Sequence, residues 1–392
     1  MSRLMNTYSR QPIAFTHGEG VWLWDKDGNK YLDALAGVAV NGLGHAHPEM
    51  VKALSAQAVK LIHTSNIYHI NEQEALADKL AEISGMDKMF FCNSGCEANE
   101  AAIKLARLYA HNKGIANPEI IVMEHAFHGR TMATLSATGN RKAQAGFEPL
   151  VSGFIRVPYD DVDAVKQIAS RKNNVVAILV EPVQGEGGVH IPADMAEYLQ
   201  GLRKICDDNG WLLMLDEVQS GIGRTGTWFA FQHTGIVPDV MTLAKGLGSG
   251  VPIGACVAKG AAAEVFTPGK HGSTFGGNSL ASAAGLATLN VIADEKLREN
   301  AQNMGDLICD HLRSALSAEA GVVVIRNAGL MIGIELDRPC TDLVKMALED
   351  KLLINVTAEK VVRLLPPLII NQAEANELAT RMAALIKTFL NK

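Results

Sequence analysis

An α/β fold, with a mostly parallel central sheet flanked by helices and a smaller α+β domain formed by the two termini, is predicted by three observations. Short β-branched runs alternate with helical patterns through the middle of the chain. Those runs are apolar throughout rather than in alternation, as befits strands covered on both faces. No period of about 20–50 residues repeats, which excludes solenoids and propellers.

The elements follow in chain order. The opening GVWLWDKDGNKYLD reads as a hairpin turning at Asp27-Gly28. MDKMFFCNSG reads as strand then turn, and EANEAAIKLARLYAH as a helix with Ala98, Ala101, Ala102, Leu105 and Leu108 on one face. EIIVMEHAFHG is strand then loop, and NNVVAILVEPV an apolar strand ended by Glu181 and Pro182. A helix over 194–209 carries Met195, Leu199, Leu202 and Cys206 on one stripe and stops at Gly210. WLLMLDEVQ and DVMTLAKGL are two further buried strands. From about residue 290 come a helix, the strands VVVIR, LMIGIEL and VVRLLPP, and a terminal amphipathic helix. The expected division is an N-terminal segment 1–45 belonging to the small domain, a large domain 46–290, and a C-terminal small domain 291–392.

Composition narrows the partners. The chain of 392 residues is 48% hydrophobic and 20% charged, with a net charge of -6. That is the balance of a globular enzyme, with no reason to expect nucleic acid or an anionic membrane as partner. No run reaches the ~18 apolar residues of a membrane span, and the N-terminus lacks the apolar stretch of a secretory signal. Six cysteines are scattered without a CxxC pair, so neither a zinc ribbon nor a disulfide framework is expected and a reducing, cytoplasmic setting is. His45 and His47 have no third ligand at metal spacing, so no metal is expected. Pro48 after them suggests a turn capping a helix, and His125 and His128 read as loop hydrogen-bonders.

In a parallel sheet, ligands bind beyond the carboxyl ends of the strands. Asn93, Glu124, Glu181, Asp216 and Lys245 all fall at such ends and are expected to converge. Lys245 sits where an apolar strand gives way to glycines, with no acid beside it in sequence. One reading is an ammonium that snorkels to water; the other is a lysine in a cleft, held as an imine or poised as a base. Ser94, Gly95 and Cys96 precede a helix, where free backbone N–H groups can cradle an anion, although Ser94 can equally be an ordinary helix cap. Asp216 is either a loop-bonding carboxylate or the partner of a cofactor ring nitrogen. Phe127 is either core packing or a face on which such a ring stacks.

The strings NGLGHAHP, FFCNSGCEANEAAIKLAR, HAFHGRT, VEPVQGEGGV, LDEVQSGIGRTG, PDVMTLAKGLGSGVPIGA, GSTFGGNSLASAA and RLLPPLII, in this order and spacing, resemble the class III aminotransferases. That family uses pyridoxal 5′-phosphate on the type I fold. The resemblance implies that Lys245 carries the cofactor as a Schiff base and shuttles protons, with Asp216 as partner of the pyridinium. It implies that Ser94, Gly95 and Cys96 hold the phosphate, and that Phe127, Glu217, Val218 and Gln219 surround the ring. Thr274 and Ser273 are implied to reach the neighbouring subunit's site, Thr274 to phosphate and Ser273 to substrate, so that a homodimer shares its active sites.

Substrate residues are implied in the same way. Arg130 binds a substrate carboxylate, as a bidentate guanidinium suits. Arg363 takes the α-carboxylate of glutamate and 2-oxoglutarate, and Glu186 gates it. Tyr8 is a substrate-side tyrosine or mere packing. FHGRTMATLSATGN and VPIGACVA are most similar to the branch acting on N2-acetylornithine, which passes its δ-amino group to 2-oxoglutarate in arginine biosynthesis. Ornithine, succinylornithine, succinyldiaminopimelate and 4-aminobutyrate are the alternative amines, and a non-catalytic scaffold is the alternative class. Cys96 and Ser279 depart from the family's usual Thr, Ala or Val and Pro.

Overall fold

A computed structural model describes residues 3–391. Strands β1 (Phe15–Glu19), β2 (Trp22–Asp25) and β3 (Lys30–Asp33) open the chain. Next come β4 (Lys88–Cys92), β5 (Glu119–Met123), β6 (Phe154–Val157) and β7 (Val175–Val180), then β8 (Leu212–Asp216), β9 (Val240–Leu243) and β10 (Gly254–Ala258). The last are β11 (Val322–Ala328), β12 (Met331–Leu336), β13 (Leu352–Leu353), β14 (Asn355–Thr357) and β15 (Val361–Leu364).

The central sheet has seven strands in the order β4-β10-β9-β8-β7-β5-β6. From β9 to β6 every pairing is parallel, while β10 runs antiparallel to both β9 and β4. The apolar runs that predicted these strands are explained by two-sided burial. In β7, Ala177 and Leu179 face one core cluster, and Ile178 and Val180 face another. In β8, Leu212 and Met214 divide from Leu213 and Leu215 in the same way. Each fully buried aliphatic side chain contributes about 1.5–3 kcal/mol over exposure.

Helices supply the two covers. The helix Gly95–Asn112 lays Ala101, Ala102, Leu105, Ala106 and Ala110 on the first cluster, and its small residues allow close approach to the sheet. Leu108, expected on that face, packs against the same cluster while half-buried. The helix Met195–Asn209 lays Leu199, Leu202 and Cys206 on the second cluster. Asp194 caps its start, and Gly210 ends it at φ +68°, a conformation that costs glycine little.

The chain ends form two smaller sheets, β1-β2-β3-β13 and β11-β12-β15-β14. In the first, β13 pairs parallel with β3, Leu352 opposite Leu32, so the two ends of the chain share one sheet. The expected hairpin is β2–β3, with Gly28 at φ +79° in its turn. Pro48 stands at the first turn of the helix Pro48–Lys60. His45 bonds Asp33 at 2.9 Å and His47 lies 3.3 Å from Glu295.

Candidate active site

The register of the parallel strands builds the site. Asp216, the last residue of β8, is paired with Thr242 of β9. Lys245 follows at the first position of a 3-10 turn beyond β9, with φ +45°. A left-handed lysine is uncommon and costs about 1–3 kcal/mol, a strain that the surrounding fold must hold. Its side chain looks into a cavity of about 340 Å³. Burial pushes its ammonium below the usual lysine range, and the charge of Asp216 pulls the other way. Among the described residues that ammonium forms no hydrogen bond or ion pair.

Asp216 is buried at 4% exposure and fully occupied on one oxygen. Its Oδ2 is hydrogen-bonded to His128 Nδ1 at 2.7 Å and accepts from Asn99 Nδ2 at 2.8 Å. Thr242 in turn donates to Asn99 Oδ1 at 2.7 Å, which fixes the orientation of that amide. Among the described residues, Oδ1 accepts only the Val218 N–H, at 3.0 Å. A buried carboxylate needs such donors to stay charged. His128 is therefore more than a loop hydrogen-bonder. Its Nε2 has no partner among the described residues, so the ring's one anchored nitrogen is the one serving Asp216. Chain separation hides this pair: each reads as unremarkable locally.

The anion cradle lies opposite. Ser94 is the N-cap of the helix Gly95–Asn112, and its hydroxyl accepts from Glu97 N at 3.2 Å. Ser94 is thus a helix cap, and with Gly95 and Cys96 it also lines the cavity. A Cβ on Gly95 would lie 2.7 Å from Val218 Cγ1, so only glycine fits there. Cys96 Sγ receives the Arg130 N–H at 3.1 Å. Phe127 completes the wall.

Arg363, in β15, is 1% exposed, and burial pulls its guanidinium below the usual range against the opposing charge of Glu186. Its Nη2 meets Glu186 Oε2 at 3.0 Å, Nε donates to Asn355 Oδ1 at 3.1 Å, and Nη1 to Gln219 Oε1 at 3.4 Å. Glu186 and Gln219 both line the cavity. Glu181, at the end of β7, lines it too, and burial with the charge of Asp216 raises its carboxyl to about 7.

Other expected residues are placed elsewhere. Glu124 does not converge with the rest; it lies in a separate cleft with Arg141 and Arg156. The Glu217 carboxylate turns inward, accepting from Ala230 N, Phe231 N and Ser220 Oγ, and does not line the cavity. Arg130 is exposed, 5.7 Å from the centre of the Phe127 ring, and does not line the cavity. Ser273 bonds Asn93 Nδ2 at 3.3 Å and Gly276 N at 3.0 Å, and Thr274 is exposed; neither lines this chain's cavity. Tyr8 is 71% exposed, beside Arg10.

A buried amine and a hydrogen-bonded carboxylate at adjacent strand ends, in one cavity with a helix start, give an α/β enzyme site of a shape and charge suited to an anionic group. The chain belongs to the class-III aminotransferases, whose family pattern matches residues 4–386. It is 63% identical over 390 residues to the acetylornithine aminotransferase of Nitrosomonas europaea, covering 100% of this chain and 99% of that one. Among solved structures it is similar to ornithine aminotransferase from Toxoplasma gondii, which carries PLP at partial occupancy in its active site. There the TM-score is 0.95 at 34% identity, covering 100% of this chain and 94% of that one. The acetylornithine aminotransferase of Elizabethkingia anophelis gives a TM-score of 0.87 at 35% identity, covering 98% and 96%.

Proposed function

We propose that this enzyme transfers the δ-amino group of N2-acetylornithine to 2-oxoglutarate with pyridoxal 5′-phosphate as cofactor. The products are N-acetylglutamate 5-semialdehyde and glutamate, a step of arginine biosynthesis. The observation that carries the reading is the unpaired, burial-shifted Lys245 ammonium in one cavity with Asp216, whose Oδ2 is held by two donors.

The residues fit the cofactor group by group. Ser94, Gly95 and Cys96 offer hydroxyl and helix-start N–H groups to a phosphate. Phe127 and Val218 offer faces to a planar ring, Gln219 a donor to its oxygen, and Asp216 Oδ1 a free acceptor for a protonated ring nitrogen. Lys245 is the point of covalent attachment. When bound, pyridoxal phosphate supplies an electron sink for the carbon bearing the transferred nitrogen.

Once the incoming substrate amine has displaced it, the freed Lys245 amine would take the proton from that carbon; burial lowers its pKa and makes it available as a base nearer neutral pH. Asp216, fixed by His128 and Asn99, holds its charge toward the ring nitrogen. The exposed Arg130, beside Phe127, receives the acetylornithine carboxylate. Glu186 covers Arg363 while the amine donor, with no carboxylate beside its reacting carbon, is bound. When 2-oxoglutarate enters, the half-exposed Glu186 swings aside and Arg363 takes the α-carboxylate.

The same reading includes a cytoplasmic homodimer and a division into 1–45, 46–290 and 291–392. Support for the dimer comes from Leu61, Ile62, Ile67, Tyr68 and Phe275, all exposed, on segments adjoining Ser273 and Thr274. Sedimentation at micromolar concentration checks it: a monomer with full activity would reject shared sites.

Borohydride reduction followed by peptide mapping tests the chemistry; label on Lys245 is expected, and none there would overturn the reading. A panel of kcat/KM values tests the amine. Acetylornithine is expected to lead ornithine, succinylornithine, succinyldiaminopimelate and 4-aminobutyrate. The likeness to the T. gondii enzyme makes ornithine the second reading, and a lead for ornithine would establish it.

A further inference from the structure

Glu181 is the one buried acid of the cavity to which the reading above gives no role. It is 5% exposed, and both of its oxygens are used. Oε1 accepts the Phe127 N–H at 2.9 Å, and Oε2 accepts the Gly185 N–H at 3.1 Å. Those two amides belong to segments far apart in the chain. One carries Phe127 and, further on, His128 and Arg130; the other carries Glu186 directly after Gly185.

The two segments are also pinned to each other at a second point. Gln184 Nε2 donates to Glu124 O at 2.8 Å, just ahead of the Phe127 segment. Tyr159 holds the Glu181 backbone by donating to Glu181 O at 3.2 Å and Pro182 O at 2.9 Å. The end of β7 is thus a fixed post, and the Glu181 carboxylate reaches from it in two directions. Little slack is available, since a Cβ on Gly187 would stand 2.8 Å from His125 O.

Resting on the roles read for Phe127 and Glu186, we propose that Glu181 is a positioning residue that couples the Glu186 gate to the ring face at Phe127. A swing of Glu186 away from Arg363 pulls on the Gly185 peptide. The shared carboxylate passes that strain to the Phe127 peptide, so the two substrates of the reaction meet slightly different ring faces. A shape-filling side chain would pack the same space without linking the two amides.

Glu181→Gln tests this in the holoenzyme. An amide has one acceptor oxygen, so one of the two N–H groups is left facing an NH2 and is released. The expected result is a rise in KM for 2-oxoglutarate of about tenfold with a change under about twofold for the amine donor. A displaced absorption maximum of the bound cofactor is expected with it. In a Glu186→Gln background, where the gate no longer pulls on Gly185, the rise in KM for 2-oxoglutarate caused by Glu181→Gln is expected to fall well short of tenfold, because both changes act on one link. Additive effects, or equal losses in both half-reactions with an unchanged spectrum, would overturn the coupling.

Amide exchange on the unaltered holoenzyme keeps the proposal exposed should Glu181→Gln fold poorly. Phe127 and Gly185 amides are expected to be protected together, and Glu186→Gln to accelerate both. Independent exchange would sink the idea. Absence of borohydride label on Lys245 rejects the functional reading itself; label with uncoupled amides rejects only this inference.

Discussion

Arg363 and Glu186 form an ion pair of unequal partners: the guanidinium is 1% exposed while the carboxylate keeps 46%, and 3.0 Å separates them. The buried member belongs to β15 and the half-exposed member to a loop at the cavity wall. An entering carboxylate can therefore replace Glu186 without leaving a buried charge unpaired, which would be costly.

Glu186→Gln removes the internal competitor for Arg363. Because Glu186 is about half in water, much of the pair's Coulomb energy is already screened. The expected outcome is a loss of about tenfold in kcat/KM for the amine donor, with the KM for 2-oxoglutarate unchanged or lower. Separate stopped-flow measurement of the two half-reactions checks it. A higher KM for the keto acid would show Glu186 to be a binding group instead.

His128→Asn withdraws the 2.7 Å bond from Asp216 while leaving Asn99 in place. A hydrogen bond to a charged group is worth about 1.5–3 kcal/mol, so the Kd for pyridoxal phosphate should rise roughly 10- to 100-fold. Fluorescence titration of the cofactor-free protein measures this, and an unchanged Kd would remove His128 from the site.

Gly95→Ala introduces a Cβ 2.7 Å from Val218 Cγ1 and 3.1 Å from Cγ2. Overpacking of this kind costs about 1–3 kcal/mol. The strain falls on the helix start that would hold the phosphate, so cofactor affinity should drop more than thermal stability. Adding Val218→Ala opens the space and should restore most of it. Failure of that rescue would mean the backbone, rather than the contact, is at fault.

Glu217 gives a pH signature independent of catalysis. Burial raises its carboxyl from 4.5 to about 7, despite the bonds from Ser220, Ala230 and Phe231. With the folded value raised, unfolding releases a proton between about pH 4.5 and 7, and stability falls as pH rises through that window. Glu217→Gln should lower Tm overall, because an amide cannot accept from both backbone N–H groups. It should also flatten the fall in Tm from pH 5.5 to 7.5. Parallel Tm profiles for the two proteins would show that Glu217 does not titrate there.

The central strands were legible because two-sided burial writes itself as an unbroken apolar run, as in VVAILV of β7. β10 was not, since GACVA is made of small residues that carry little strand signal. The strand-end rule brought Asn93, Glu181, Asp216 and Lys245 to one cavity and failed for Glu124, whose side chain lies in the neighbouring cleft. It was also blind to Glu217, which follows Asp216 but points the opposite way, as successive extended residues do. His128, Asn99 and Thr242 escaped because their partners are distant in sequence. Ser273 and Thr274 came from resemblance alone.

The short parallel pairing of Leu352 and Leu353 with Leu32 and Asp33 has a bearing on how the polypeptide is made. On a ribosome, the edge of the first sheet emerges long before the residues that zip onto it. Nearly the whole message must be translated while β3 waits open, a high-contact-order closure that is slow and exposed to aggregation. A stalled or truncated nascent chain would therefore carry a bare sheet edge, the kind of surface that chaperones and proteases find first.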